Sequence, residues 1–231
     1  MTSPTIVLVH GAFADASSWS EVLPPLQDAG FDVLGVPNLL RGVNEDADYV
    51  ASIVRAIDGP VLLVGHSYGG VVITRAAQDL PNVAGLVYIA AYQPDTGENA
   101  FGLSGDTELG DETSNVLVHA GEPELRVNAD SFAEVIAGDV APERVRLAAA
   151  TQRPAALRAL TGDLEGEPAW RSLPSWTLIA TQDNAIPEKE QEFMATRAGS
   201  RITRVEASHA VSLSKPGAVV QIITEAARVL S

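Results

Sequence analysis

The sequence predicts an α/β fold: a mostly parallel sheet of about six strands, helices on both faces, and a small helical cap inserted late. Three observations carry this. Short apolar runs rich in Val, Leu and Ile alternate with helical segments, the mark of strands buried on both faces. One run, Val61-Leu62-Leu63-Val64, passes through Gly65-His66-Ser67-Tyr68-Gly69-Gly70 into the apolar segment Val71 to Ala77. The strand–helix rhythm stops after Ala90 and resumes at Ser175, which marks an insertion.

In order along the chain, Thr5 to Val9 is the first strand, running into the turn His10-Gly11-Ala12-Phe13. Asp15 or Ser17 can cap the next helix, which passes Trp19 and Val22 to Leu26 and which Pro24-Pro25 makes short or irregular. Gly30 ends it, and Phe31 to Val36 is the second strand. Asp46 to Ile57 is a helix with its apolar stripe at Val50, Ile53, Val54 and Ile57, broken by Gly59-Pro60. The Val61 strand and the helix behind Gly70 follow, then a strand over Val83 to Ala90. From Gln93 to about Gly121 Gly, Asp, Glu, Thr and Ser dominate and no period is visible. Short helices are expected over Asp130 to Ile136, Pro142 to Ala150 and Pro154 to Leu160. Ser175 to Ala180 is a strand, Glu188 to Arg197 a helix, Arg201 to Val205 the last strand and Pro216 to Leu230 the closing helix. The expected division is a core from residues 1–93 and 171–231, with 94–170 as an inserted cap of the same single domain.

At 231 residues and 46% hydrophobic content the chain can bury one large core. Its formal net charge of −15 disfavours nucleic acid and anionic lipid as partners. With no cysteines, disulfides, thiolate metal sites and cysteine nucleophiles are excluded, and no metal is expected. The first residues, Met1-Thr2-Ser3-Pro4, have no basic leader and no apolar run reaches membrane-spanning length, so the expected location is the cytoplasm. A secreted chain whose signal has been removed fits the same observations.

Gly65-His66-Ser67-Tyr68-Gly69 is a G-x-S-x-G. From average residue usage the pentapeptide occurs by chance in on the order of one in ten chains of this size, so its flanks matter more than its letters. With a buried strand before it and a helix after it, it reads as a nucleophile elbow: the chain turns so sharply that Ser67 is strained and its hydroxyl stands above the sheet. Glycines on either side remove side chains that would collide across the turn.

A serine hydroxyl needs a base, and the base an orienting acid. Of the four histidines, His66 adjoins the serine and should point away from it. His10, at the end of the first strand, suits a structural hydrogen bond, and His119 lies in the irregular stretch. His209, in Ala207-Ser208-His209-Ala210, sits in a loop opening at the carboxyl edge of the sheet, where the elbow also opens. His209 is the expected base. Asp183, in the loop after the Ser175 strand, is the preferred acid; the alternative is that it only caps the next helix. Asp95 is the rival acid on the same edge. The chain order Ser67, Asp183, His209 is the order this architecture requires. The backbone amides of Tyr68 and Ala12 are the expected oxyanion donors. Phe13, Phe132 and Trp170 are candidate substrate-lining residues.

Leu8-Val9-His10-Gly11, Gly65 to Gly70, Asp183-Asn184-Ala185-Ile186-Pro187 and Ser208-His209 together resemble the α/β-hydrolase superfamily, over almost the whole chain. Within it the chain is most similar to small bacterial esterases related to plant methylesterases and hydroxynitrile lyases. The resemblance implies hydrolysis of small-molecule carboxylic esters through an acyl-enzyme, with no cofactor. The expected partner is the ester itself, with no nucleic acid and no membrane; a homodimer is allowed for. Ser67 in place of aspartate argues against haloalkane dehalogenase and epoxide hydrolase chemistry. Hydroxynitrile lyases carry lysine and threonine where this chain has Ala210 and Gly11, which disfavours cyanohydrin cleavage. The alternatives left open are a cofactor-free lyase, a C–C hydrolase, a perhydrolase or haloperoxidase using the same triad, and a hydrolase-fold ligand receptor.

Overall fold

A computed structural model describes residues 3–110, 113–119 and 121–231. The reading of Met1 and Thr2 as lacking a leader lies outside the described residues, as do Asp111, Glu112 and Ala120 of the long excursion. In chain order the first half runs β1 (Thr5–Val9), α1 (Leu23–Asp28), β2 (Val33–Val36), α2 (Val43–Arg55), β3 (Val61–Ser67), α3 (Gly69–Ala76) and β4 (Val83–Ala91). Next come β5 (Ser114–His119), β6 (Glu122–Val127), α4 (Phe132–Ile136), α5 (Pro142–Thr151), β7 (Ala155–Ala156) and α6 (Leu157–Thr161). The chain closes with β8 (Ser175–Ala180), α7 (Glu188–Arg197), β9 (Arg201–Val205), α8 (Val211–Ser214) and α9 (Pro216–Val229).

β1, β2, β3, β4, β8 and β9 form one six-stranded sheet in the order β2-β1-β3-β4-β8-β9, with every pairing parallel. The period of two along each strand divides the core. Ile6, Leu8, Leu62 and Val64 face one side, where they meet Leu26 of α1 and Val219, Ile222, Ile223, Ala226 and Ala227 of α9. Those α9 positions recur at helical spacing, which places one stripe on the sheet. Val7, Val9, Val61 and Leu63 face the other side, against Val50 and Val54 of α2 and Val71 and Val72 of α3. β3, the central strand, is buried along its whole length, while β2 and β9 at the edges are partly exposed. The strand order places β3 and β4 mid-sheet, so the loops after β1, β3, β8 and β9 open along one edge.

The first helix divides as its two prolines require. Ala16–Trp19 is a 3-10 turn whose Asp15 cap accepts the Ser17 N–H at 2.7 Å, and α1 starts afresh with Pro24 and Pro25 in its first turn. The stretch expected to lack periodicity contains order of its own. β5 and β6 form an antiparallel hairpin joined through Gly121, which has φ +84°, and β7 completes a three-stranded sheet. Val116 and Val118 of β5 are exposed, so its apolar residues mark no buried face and the strand left no period to read. The three expected short helices are α4, α5 and α6; β7 occupies the start of the last one.

Candidate active site

Ser67 ends β3 with φ +54°, a left-handed conformation that a side-chain-bearing residue adopts at a cost of roughly 1–3 kcal/mol. Two glycines make the turn possible by close approach. A Cβ on Gly65 would lie 2.5 Å from the Gly69 carbonyl oxygen, and one on Gly11 would lie 2.6 Å from Cβ of Ser67. The loop after β1 is therefore packed directly on the serine. His10 holds that loop: its Nε2 accepts the Asn38 N–H at 2.9 Å, so Nδ1 carries the proton and donates to the Gly11 carbonyl at 2.8 Å. This is the structural role expected of His10.

His209 Nδ1 lies 2.7 Å from Asp183 Oδ2, and both residues are buried. The carboxylate accepts three further hydrogen bonds: Ala185 N–H and Ile186 N–H on Oδ1, each at 2.8 Å, and Gln191 Nε2 on Oδ2 at 3.0 Å. Asp183 thus both closes the turn before α7 and holds the histidine. Four donors compensate its burial. With Nδ1–H donating to Asp183, the lone pair of His209 is on Nε2. Asp95 lies elsewhere, its carboxylate paired with Arg171 at 2.6 Å.

Ser67, His209, Ala12 and Tyr68 line one small cavity together with Phe13 and Tyr92. Among the described residues, no hydrogen bond occupies the backbone N–H of Ala12 or of Tyr68. The Tyr68 side chain turns away from the cavity, its hydroxyl donating to buried Asp46 at 2.8 Å. Burial pushes the Asp46 carboxyl above the usual range, and burial with the neighbouring carboxylate raises the Tyr68 phenol. A second, larger cavity adjoins the first, sharing Ala12, Phe13, Ile136 and His209, and Phe132 lines it. Trp170, expected at the pocket, lines neither. It is buried with Nε1 donating to the Pro94 carbonyl at 2.8 Å and the Arg171 guanidinium 4.8 Å from its ring centre. Arg171 and Pro94 hold it in packing instead.

Sequence reasoning missed three contributors. Gln191 on α7 locks Asp183 while its Oε1 accepts the Ala180 N–H; a lone glutamine in a polar helix gives no signal. Residues 134–139 tie down the loops that carry Asp183 and His209: Asn184 Nδ2 donates to the Glu134 carbonyl, Ala210 N–H to the Ile136 carbonyl at 2.8 Å, and Ser208 Oγ to Asp139. His66 packs its ring 4.7 Å from that of His209 and donates from Nε2 to the His209 carbonyl at 2.9 Å. Among the described residues, no group of three or more His, Cys, Asp or Glu could hold a metal ion. Among the described residues, no helix is long and apolar enough to cross a membrane.

Burial lowers the pKa of His10 to about 4 and that of His66 to about 3. Both depressed values mean that the unfolded chain binds more protons than the folded one below pH 6.5. Stability therefore falls as pH drops from 6.5, by about 1.4 kcal/mol per pH unit for each histidine, until the folded forms protonate. The raised Asp46 carboxyl opposes this loss. A lower denaturant midpoint at pH 5 than at pH 7 is expected, and an unchanged midpoint would contradict the buried neutral imidazoles.

The profile of the alpha/beta hydrolase family matches residues 6–222. The chain belongs to that family. Its sequence is 25% identical to a probable hydrolase, R7, of a Phoma species, covering 98% of this chain and 99% of the relative. It is 35% identical to methylesterase 7 of Arabidopsis thaliana over 104 residues, 38% of this chain and 40% of that protein. The crystal structure of a pyrethroid hydrolase from Sphingobium faniae JZ-2 shares the fold, with a TM-score of 0.83 and 24% identity over 98% of both chains. The resemblance to α/β-hydrolases and plant methylesterases read from the motifs is borne out.

Proposed function

We propose that this hydrolase cleaves small-molecule carboxylic esters through an acyl-enzyme, with Ser67 as nucleophile, His209 as base and Asp183 as the acid that orients it. The observation that carries the reading is the 2.7 Å pairing of His209 with Asp183 beside a serine held at φ +54° in the same cavity wall. Relatives named methylesterase, pyrethroid hydrolase and carbendazim hydrolyzing esterase support ester chemistry.

Ser67 Oγ attacks the ester carbonyl carbon as its proton passes to His209 Nε2. The electron pair of the carbonyl moves to oxygen, where the amides of Ala12 and Tyr68 receive it; a donor of this kind contributes about 3 kcal/mol to the transition state. Asp183 stabilises the imidazolium without taking its proton. The tetrahedral intermediate collapses, the bond to the alcohol oxygen breaks, and Nε2 protonates the departing alcohol. Water then gives its proton to Nε2 and attacks the acyl carbon, and Ser67 leaves with the proton returned to it. The product is the carboxylic acid. Every proton is carried by His209, so the cycle needs no cofactor. The partner is a small neutral ester. The segment 94–170 acts as a cap, since residues 134–139 reach the loops that carry Asp183 and His209.

The test is covalent. A fluorophosphonate probe is expected to label Ser67 stoichiometrically, by intact mass and peptide mapping, in protein that turns over 4-nitrophenyl acetate. Binding of esters with no label and no turnover would instead identify a receptor.

A further inference from the structure

The two cavities that meet at His209 differ greatly in size and share only one short wall. The small one, of about 20 Å³, is lined by Ser67, Tyr68 and the amide-bearing Ala12. The large one, of about 330 Å³, is lined by His209, His66 and Ala210 but not by Ser67. Ala12, Phe13, Ile136 and His209 line both, whereas Ser67 and Tyr68 line only the small one.

Chemistry assigns a substrate half to each. In the acylation step the acyl carbon becomes bonded to Ser67 Oγ, so the acyl chain occupies the serine side. The alcohol oxygen must reach the nitrogen that protonates it; His209 lines both cavities, and the large one, which Ser67 does not line, is left for the alcohol. A water needs roughly 10–15 Å³ on this measure, so the serine side has room for about one methyl-sized group. Most of its walls are buried, although Phe101, which also lines it, is exposed. Tyr92 is buried and its hydroxyl bonds Ser104 at 2.8 Å, and Ala100, Leu160 and Ala185 are buried beside it. The large cavity reaches the lower end of the range for small-molecule sites, roughly 300–1,000 Å³. Its walls are Phe132, Val140, Val145 and Ala148 from the α4–α5 region, with Asp15 and Arg144 as its charged groups. Arg144 is already paired with Glu21 at 2.6 Å. Such a space suits a neutral apolar group.

We propose that this hydrolase selects esters joining a small acyl group, of acetyl size, to a bulky apolar alcohol, aryl or branched alkyl. This rests on the serine-esterase reading above and gives it a direction: the bulk leaves as the alcohol. Selection of methyl esters of bulky acids would place the large group on the serine side, where the walls leave no room for it.

Two isomers test the assignment with size and polarity held equal: 1-naphthylmethyl acetate and methyl 1-naphthylacetate. The acetate is expected to show the higher kcat/KM, by about tenfold or more, the discrimination typical of even one misplaced methylene in an apolar pocket. Equal rates, or preference for the methyl ester, would overturn the proposal. Ala148→Phe, which fills the large cavity, is expected to reduce that ratio severalfold, chiefly through KM. Leu160→Ala, which widens the small cavity, is expected to raise the rate on 1-naphthylmethyl butyrate relative to the acetate. If neither ratio moves in protein of unchanged thermal midpoint, the assignment of the cavities fails. Turnover of 4-nitrophenyl acetate by wild type and Ser67→Ala separates the two readings. Loss in the variant, together with preference for the methyl ester, sinks only the selectivity. Retention in the variant sinks the serine mechanism and the selectivity with it.

Discussion

Ser67→Ala is expected to leave the fold intact and to lower ester turnover by about 10⁴-fold or more. The fold should survive because the serine hydroxyl holds nothing together. Its carbonyl accepts the Tyr92 N–H at 3.2 Å, and the substitution leaves that bond in place. The left-handed φ of +54° is equally strained for alanine, and the Cβ packed against Gly11 is retained. On the proposed mechanism, what is lost is the oxygen that bonds the acyl group. The rate that remains comes from substrate held against the Ala12 and Tyr68 amides with His209 activating water. Single-turnover and steady-state rates on 4-nitrophenyl acetate, with fluorophosphonate labelling as a second readout, check the result. A variant keeping more than about 1% of the rate would remove Ser67 from the mechanism, because loss of a covalent nucleophile costs far more than that.

The central elements were legible because two signals coincide there. β1, β3, β4 and β8 are buried along nearly their whole lengths, and their sequences are correspondingly apolar, with Val, Leu or Ile at many of the buried positions. The loops that follow them carry residues whose chemistry is scarce. Only four histidines exist, and only one follows the last sheet strand. Knowing which loops open at the carboxyl edge is therefore nearly enough to choose His209 and Asp183. The segment between β4 and β8 offered no such constraint. Its hairpin exposes Val116 and Val118, and its helices α4 and α6 are five residues each, too short to display a period. Side-chain direction was equally illegible. Trp170 and Phe132 look alike as aromatics near a cap; only tertiary packing sends one under Arg171 and the other into a cavity. Gln191 and the backbone carbonyls of Glu134 and Ile136 act through position alone, which composition does not encode.

Asp183→Asn carries the second large effect, and the hydrogen bonds around the carboxylate specify how. Four donors converge on its two oxygens: two backbone N–H groups on Oδ1, and Gln191 Nε2 with His209 Nδ1 on Oδ2. Asparagine supplies one oxygen and one NH₂ group. The backbone donors cannot reverse, so the amide oxygen takes the Oδ1 position and NH₂ the Oδ2 position. Gln191 cannot turn to accommodate it, since its own amide is committed to Ala180 N–H and the Ile186 carbonyl. The group that can change is His209, which must accept at Nδ1 and therefore carry its proton on Nε2. That tautomer has no lone pair for the Ser67 proton. A loss of about 10⁴-fold in kcat is expected with little change in KM. The ¹⁵N shifts of the His209 ring should show the proton moved from Nδ1 to Nε2, a signature that mere loosening of the loop would not produce. Asp95→Asn is the control. It removes one partly exposed ion pair to Arg171, worth about 0–1 kcal/mol of stability, and should leave kcat within about twofold of wild type. If Asp95→Asn proves the more damaging change, or if Asp183→Asn keeps the Nδ1–H tautomer and the rate, the acid of this site is not Asp183.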